Sequence, residues 1–343
     1  MLVALFVITN NESGEKTVRI HRLVPPVVAV AAALLAAASG ALAQTAFPQR
    51  DVMFIVPWGA GGSNDVMMRF LQPILKEDGI NLVIENVAGA TGSIGLKRVA
   101  TAPPDGHMLG MGTSSTLALV AQGKGNLKNS DFTHIARVSI DPLLLLVPGK
   151  AEHKSLEDFI AHMKKNPGTV SIGTPGNFNL NHIFAAMTAR AAGVDYVNVV
   201  HTGGAKVVQD LSGNHIQAGV LKPSETLGQI QEGLVRAIAV FAPERLAQFP
   251  EVPTFKDKGF DAFPFGPVVQ MAYVVAPAKL PEPVRLRLIA AFKKALAEKR
   301  FQTFAEQSSF LVDDLTGEAL DAEVVKVGAS IGTVAEKVFP KTQ

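Results

Sequence analysis

From residue 51 onward the chain alternates short apolar runs rich in β-branched residues with stretches of helical periodicity, the pattern that produces parallel strands joined by crossover helices. Residues 52–56 read as a buried strand. They run into Pro57-Trp58-Gly59-Ala60-Gly61-Gly62, a backbone too permissive for strand, and then Ser63, Asn64 and Asp65 offer cap-type residues before the apolar positions Val66, Phe70, Ile74 and Leu75. The unit of strand, small-residue loop and helix then repeats. Residues 82–85 predict a strand, 88–92 a loop and 94–100 a helix; residues 108–111 predict a third strand and 112–116 a third loop, rich in hydroxyls.

A second set follows: strand 143–147, a serine-capped amphipathic helix 155–164, strand 169–173, and the loop Thr174-Pro175-Gly176-Asn177-Phe178-Asn179. A helix near 180–192, a strand at 196–200, the loop His201-Thr202-Gly203-Gly204-Ala205 and a strand at 216–221 complete it. Residues 235–241 and 268–276 are further apolar runs. A C-terminal helix from Pro281 places Val284, Leu288 and Phe292 on one face. The chain is expected to cross twice between two lobes, near 143–147 and near 235–241. In open α/β sheets ligands bind beyond the carboxyl ends of strands, so the five loops locate a binding edge.

The N-terminus carries a different signal. Arg19 and Arg22 precede the apolar run 23–38, which ends in Ala41-Leu42-Ala43, the layout of a secretory signal peptide cleaved after Ala43. Pro25 and Pro26 interrupt the run, which is short for a membrane span. Residues 1–18 are not required by such a signal, and translation is expected to begin near Val18.

Composition narrows the function. The 343 residues exceed one typical domain, and 32 basic against 30 acidic residues leave a net charge of +2, with no basic surface for nucleic acid. The absence of cysteine excludes disulfides, thiolate metal sites, cysteine nucleophiles and a lipid anchor. Asn64 stands where a dinucleotide fingerprint needs its third glycine, no P-loop or nucleophile-elbow motif occurs, and the eight histidines lack ligand spacing. No cofactor, metal or catalytic residue is therefore expected.

What remains is a set of loops whose amides and helix N-termini favour an anion. Asp65 serves either its own helix dipole or an ammonium group on the ligand, and Trp58, the only tryptophan, walls the crevice or plugs the lobe. His182 and His201 read as structural.

The ordered pieces Ile55-Val56-Pro57-Trp58-Gly59-Ala60-Gly61-Gly62-Ser63-Asn64-Asp65, Glu85-Asn86-Val87-Ala88-Gly89-Ala90-Thr91-Gly92-Ser93-Ile94-Gly95 and Pro104-Asp105-Gly106-His107 resemble the Bug-type extracytoplasmic solute receptors, the binding proteins of tripartite tricarboxylate transporters. Gly203-Gly204-Ala205 before Asp210-Leu211-Ser212-Gly213, and Phe249-Pro250-Glu251-Val252-Pro253-Thr254, fit as well. The resemblance implies a two-lobed α/β periplasmic binding protein of the type II, Venus-flytrap class, with lobe 1 formed by 44–145 and 241–343, lobe 2 by 146–240, and the ligand cleft between them.

By the same resemblance, Trp58, Ala60, Gly61, Gly62, Ser63 and Asp65 of the first loop and Ala90, Thr91 and Gly92 of the second bind a ligand carboxylate. Thr113 and Ser114 complete that face, and Asn177, Thr202, Gly203 and Ala205 close from the second lobe. The implied partners are a small organic anion and membrane permease subunits, with the receptor a periplasmic monomer. His201 stands where the family often has an aromatic residue, and a tryptophan frequent in the family is missing around Phe263-Pro264-Phe265. A periplasmic enzyme on the same scaffold, or a sensor for a membrane signalling partner, are the alternatives. With no lysine or arginine in the matched loops, a monoanion or zwitterion is expected rather than a tricarboxylate, Lys222 being the residue able to overturn this.

Overall fold

The computed structural model describes residues 4–10, 16–22 and 47–339. The apolar run and cleavage site expected of a signal peptide, at 23–43, lie outside the described residues. Residues 1–49 and 50–343 form two separate compact units. In the first, β1 (Ala4–Asn10) pairs antiparallel with β2 (Lys16–Arg22).

The second unit carries two five-stranded sheets. Its first half runs β3 (Val52–Val56), α1 (Ser63–Glu77), β4 (Leu82–Asn86), α2 (Ser93–Ala100), β5 (Met108–Thr113), α3 (Ser114–Ala121) and β6 (Phe132–Ile140). The chain then enters β7 (Leu143–Pro148), α4 (Leu156–Lys165), β8 (Ser171–Thr174), α5 (Leu180–Ala192), β9 (Val197–Val200), α6 (Gly204–Ser212), β10 (Ala218–Leu221), α7 (Pro223–Gln231) and β11 (Val235–Phe241). It ends with β12 (Met271–Pro277), α8 (Glu282–Ala297), α9 (Lys299–Ser308) and α10 (Gly317–Val338).

Strand order is β4-β3-β5-β12-β6 in one sheet and β9-β8-β10-β7-β11 in the other. The two orders are one plan used twice. A first strand (β3, β8) lies between the second and third, all parallel. The next place is taken by an antiparallel strand that enters from the other lobe's side of the sequence: β12 against β5, and β7 against β10. The central strands are buried on both faces, which explains continuous apolar runs such as Val52, Phe54, Ile55 and Val56.

Three sequence expectations shift. Residues 112–116 do not form a loop, because β5 continues to Thr113 and α3 starts at Ser114, with Thr113 and Thr116 forming a reciprocal cap. Gly112 is in the strand because the Tyr273 ring crosses it; a Cβ there would stand 2.5 Å from Tyr273 Cε2. The apolar runs 143–147 and 235–241 are themselves strands of the second sheet, and the chain passes between the sheets beside each of them. The first crossing is Asp141 and Pro142, and the return follows β11 through residues 242–270. Finally β6, α6, α7, α9 and α10 had no counterpart in the hydrophobic pattern reading.

Candidate functional site

The carboxyl ends of β3 and β5 meet those of β8 and β10 at a small cavity of about 30 Å³. From the first lobe it is lined by Trp58, Gly59, Gly62, Ser63, Asn64, Thr113 and Ser115, and from the second by Pro175, Asn181, Gly204, Lys222 and Glu225, with Gln270 from the returning segment. Loops at strand ends supply these residues because that is where the chain turns into α1, α3, α6 and α7, whose first amides have no partner within the helix.

The lobes are joined across this cleft by specific bonds. Thr91 Oγ1 donates to the Asn177 carbonyl at 2.9 Å and accepts from Asn177 N–H at 3.1 Å. The Ser224 hydroxyl meets that of Ser63 at 3.0 Å, and Gln122 Nε2 donates to the Phe178 carbonyl at 2.9 Å. Ala90 and Thr91 both hold positive φ, 44° and 54°, which turns Thr91 toward the second lobe.

At the back of the cleft lies a buried charge cluster. Lys222 Nζ donates to Asp141 Oδ2 at 2.9 Å, with Lys222 4% and Asp141 2% exposed. Asp141 Oδ2 also accepts from Ser139 Oγ at 2.6 Å, and its backbone N–H from the first crossing binds the Gln270 carbonyl at 2.8 Å. Glu225 Oε2 accepts from Lys222 N–H at 3.2 Å, capping α7, and the carboxylate also accepts from Ser63 N–H at the start of α1. It packs so closely on α6 that a Cβ on Gly204 would lie 2.2 Å from its Oε1. Burial pushes the Glu225 carboxyl above the usual range, against the Lys222 charge and the two amides, while the Asp141 charge adds to the rise.

Four buried polar atoms here have no hydrogen-bond partner among the described residues: Trp58 Nε1, Asn64 Oδ1, Gln270 Oε1 and Asp141 Oδ1. Trp58, Asn64 and Gln270 line the cavity, and Asp141 pairs with the lining Lys222. Unpaired buried polar groups are costly, so three on one cavity wall, with a fourth behind Lys222, mark a surface made to receive polar atoms.

The sequence-derived residues divide accordingly. Trp58, Gly62, Ser63 and Thr113 line the cavity. Gly203 packs on Gly59, and Thr91 and Asn177 form the latch beside it. Ser114 is spent on β12, donating to the Val269 carbonyl at 2.6 Å and accepting from Met271 N–H. Ala60, Gly61, Ala90, Thr202 and Ala205 are exposed and Gly92 is buried, none of them on the cavity wall. Asp65 turns back on its own loop, accepting from Gly61 N–H and Arg69 Nε at 2.9 Å each. Burial raises its carboxyl, but those bonds, one from Asn86 and the Arg69 charge outweigh this and hold it below the usual range. His182 accepts from Phe178 N–H through Nδ1 at 3.1 Å, and burial lowers it to about 4. His201 binds Asp210 at 2.9 Å.

Gly59, Asn64, Ser115, Pro175, Asn181, Gly204, Glu225, Gln270 and Asp141 were missed. Lys222-Pro223-Ser224-Glu225 carries a helix-start signature that points to α7, but nothing local to it shows that the helix opens onto the cleft.

Two α/β lobes of one topology, meeting at strand ends around a polar cleft, define the solute-binding receptor class. The model of the tripartite tricarboxylate transporter family receptor matches residues 68–321, and the chain belongs to that family. Protein BugT of Bordetella pertussis is 30% identical over 228 residues, 64% of this chain and 69% of that protein. The structure of periplasmic binding protein BugD is 27% identical with a TM-score of 0.80, covering 87% of this chain and all of that one. MatC from Rhodopseudomonas palustris with bound malate is 28% identical with a TM-score of 0.79, covering 84% of this chain and all of that one.

Proposed function

We propose that the protein is a periplasmic receptor that captures a small organic carboxylate or amino-acid-like anion and delivers it, chemically unchanged, to the membrane permease subunits of a tripartite tricarboxylate-type transporter. The convergence of three unpartnered buried polar atoms, on Trp58, Asn64 and Gln270, at the interlobe cleft carries this reading. Binding bridges residues of both lobes, so ligand favours the joined state over the separated one by its differential affinity, and no reacting group is needed. The hinge consists of Asp141-Pro142 and the segment 242–270, which moves the expected lobe boundaries to 50–140 with 271–339 for lobe 1 and 143–241 for lobe 2. The malate held by the similar MatC supports a carboxylate ligand. Export through the N-terminal signal and a monomeric state complete the proposal.

Trp58 lines the cleft and is the only tryptophan, so its fluorescence reports occupancy without a label. Protein unfolded and refolded to remove carried-over ligand is titrated with small carboxylates and amino acids while melting is followed. The expected result is saturable quenching or enhancement with a raised melting temperature and the compound recovered intact. Consumption of the compound would replace the receptor with an enzyme.

A further inference from the structure

The cleft's charge carries an inference about its ligand that rests on the receptor reading and narrows it. Among the described lining residues the charged groups are Lys222 and Glu225, and Lys222 is already bound to buried Asp141. One cation against two carboxylates leaves the cleft one negative charge in excess. The amides that begin α1 and α7 are the natural seat for a ligand's carboxylate, yet Glu225 takes Ser63 N–H and Lys222 N–H for itself.

Asp141 Oδ1 is buried without a donor, and a carboxylate oxygen can only accept. Among the donors, Trp58 Nε1 has no acceptor among the described residues, while Lys222 Nζ keeps one of its three N–H donors after Asp141 and the 3.5 Å approach to Ser63 Oγ. The Asn64 and Gln270 amides can turn either end to a ligand. The wall thus offers anion donors at Trp58 and Lys222 and a cation seat at Glu225, to which the buried Asp141 charge adds.

We infer that the cleft selects a small zwitterion, with one carboxylate set against Trp58 and Lys222 and one ammonium set against Glu225 in the field of the buried Asp141, over dicarboxylates of the same length. A second ligand carboxylate at the Glu225 end would face like charge at short range with water excluded.

The test compares matched pairs in which one carboxylate is exchanged for an aminomethyl group: succinate with 4-aminobutyrate, and glutarate with 5-aminopentanoate, beside α-amino acids and malate. Affinities are read by Trp58 fluorescence at pH 8 on the refolded protein. The zwitterions are expected to bind at least tenfold more tightly than their partners, and Glu225→Gln to shift that ratio at least tenfold toward the dicarboxylates. Dicarboxylates that bind as well as or better than the zwitterions overturn the inference and leave the receptor reading standing. An unchanged ratio in Glu225→Gln overturns the cation seat. Silence from every compound of both kinds removes the small-carboxylate receptor reading, and the inference with it.

Discussion

Replacing Lys222 by methionine removes the cation and keeps most of the stem's volume, leaving the Asp141 carboxylate buried with Ser139 as its side-chain donor. At the observed 2.9 Å the pair attracts by about 6 kcal/mol for an effective dielectric constant of about 20. Desolvation of both groups offsets much of that in the intact protein, but a single deletion loses the attraction while the remaining charge stays buried. Side chains exposed by only 5% and 1% place the pair in the regime where breaking it costs about 3–5 kcal/mol. At roughly 2–4 °C per kcal/mol for chains of 150–250 residues, the melting temperature should fall by about 10 °C.

Two controls make the reasoning refutable. Arg50 and Asp105 form a pair at 3.1 Å with side chains 67% and 45% exposed, and Asp105→Asn should cost no more than about 1 kcal/mol. Lys222→Met combined with Asp141→Leu removes both charges and should recover most of the single-mutant loss, a coupling of about 2–3 kcal/mol in a double-mutant cycle followed by denaturant unfolding. If Lys222→Met costs no more than Asp105→Asn, or if the double variant loses the sum of its parts, the buried pair is not an energetic unit.

Thr91→Val deletes both bonds of the latch to Asn177 and should weaken ligand binding about tenfold while leaving the far-ultraviolet spectrum unchanged, as checked by titration; unchanged affinity refutes the latch. Because burial lowers His182 from 6.5 to about 4, the folded protein binds fewer protons than the unfolded chain between those values. That contribution to stability is present above pH 6.5 and is lost as pH falls through 6.5 toward 4; His182→Gln should flatten this part of a melting profile. Gly112→Ala drives a Cβ to 2.5 Å from Tyr273 and should cost about 1–3 kcal/mol, read as a lower midpoint in urea.

Much of the fold was legible because its signals are local. Helix α5 lies where the pattern put it since Asn179 caps one end, donated to by His182 N–H, and Gly193 takes a left-handed φ of 70° at the other. The three strands before residue 115 announced themselves as apolar runs ended by small residues. The cavity wall was legible only on the first lobe, where Trp58 and Gly62 lie in the turn after β3, Ser63 starts α1 and Thr113 ends β5. Asp141 sits beside a proline at a crossing, and Glu225 looks like a capping residue; where they lie in the site depends on partners far along the chain, Lys222 and Gln270 for one and Ser63 and Gly204 for the other. No periodicity encodes such pairings. The same holds for Asp65, whose place in a helix's first turn suited ligand contact as well as it suited Arg69.

The repeated sheet plan sets an order of events during synthesis. All five strands of the second sheet lie between residues 143 and 241, so that sheet can complete its pairing once β11 has emerged. The first sheet cannot. Its strands β3 to β6 are finished by residue 140, yet β12, which joins β5 to β6, pairs Ala272 with Thr113 and Ser139 and arrives only after the whole second sheet. Until then β5 presents an unpaired edge, and closing it joins residues more than a hundred positions apart, a slow step on loop-closure grounds. The half of the cleft that begins first in the sequence is therefore the half that finishes last.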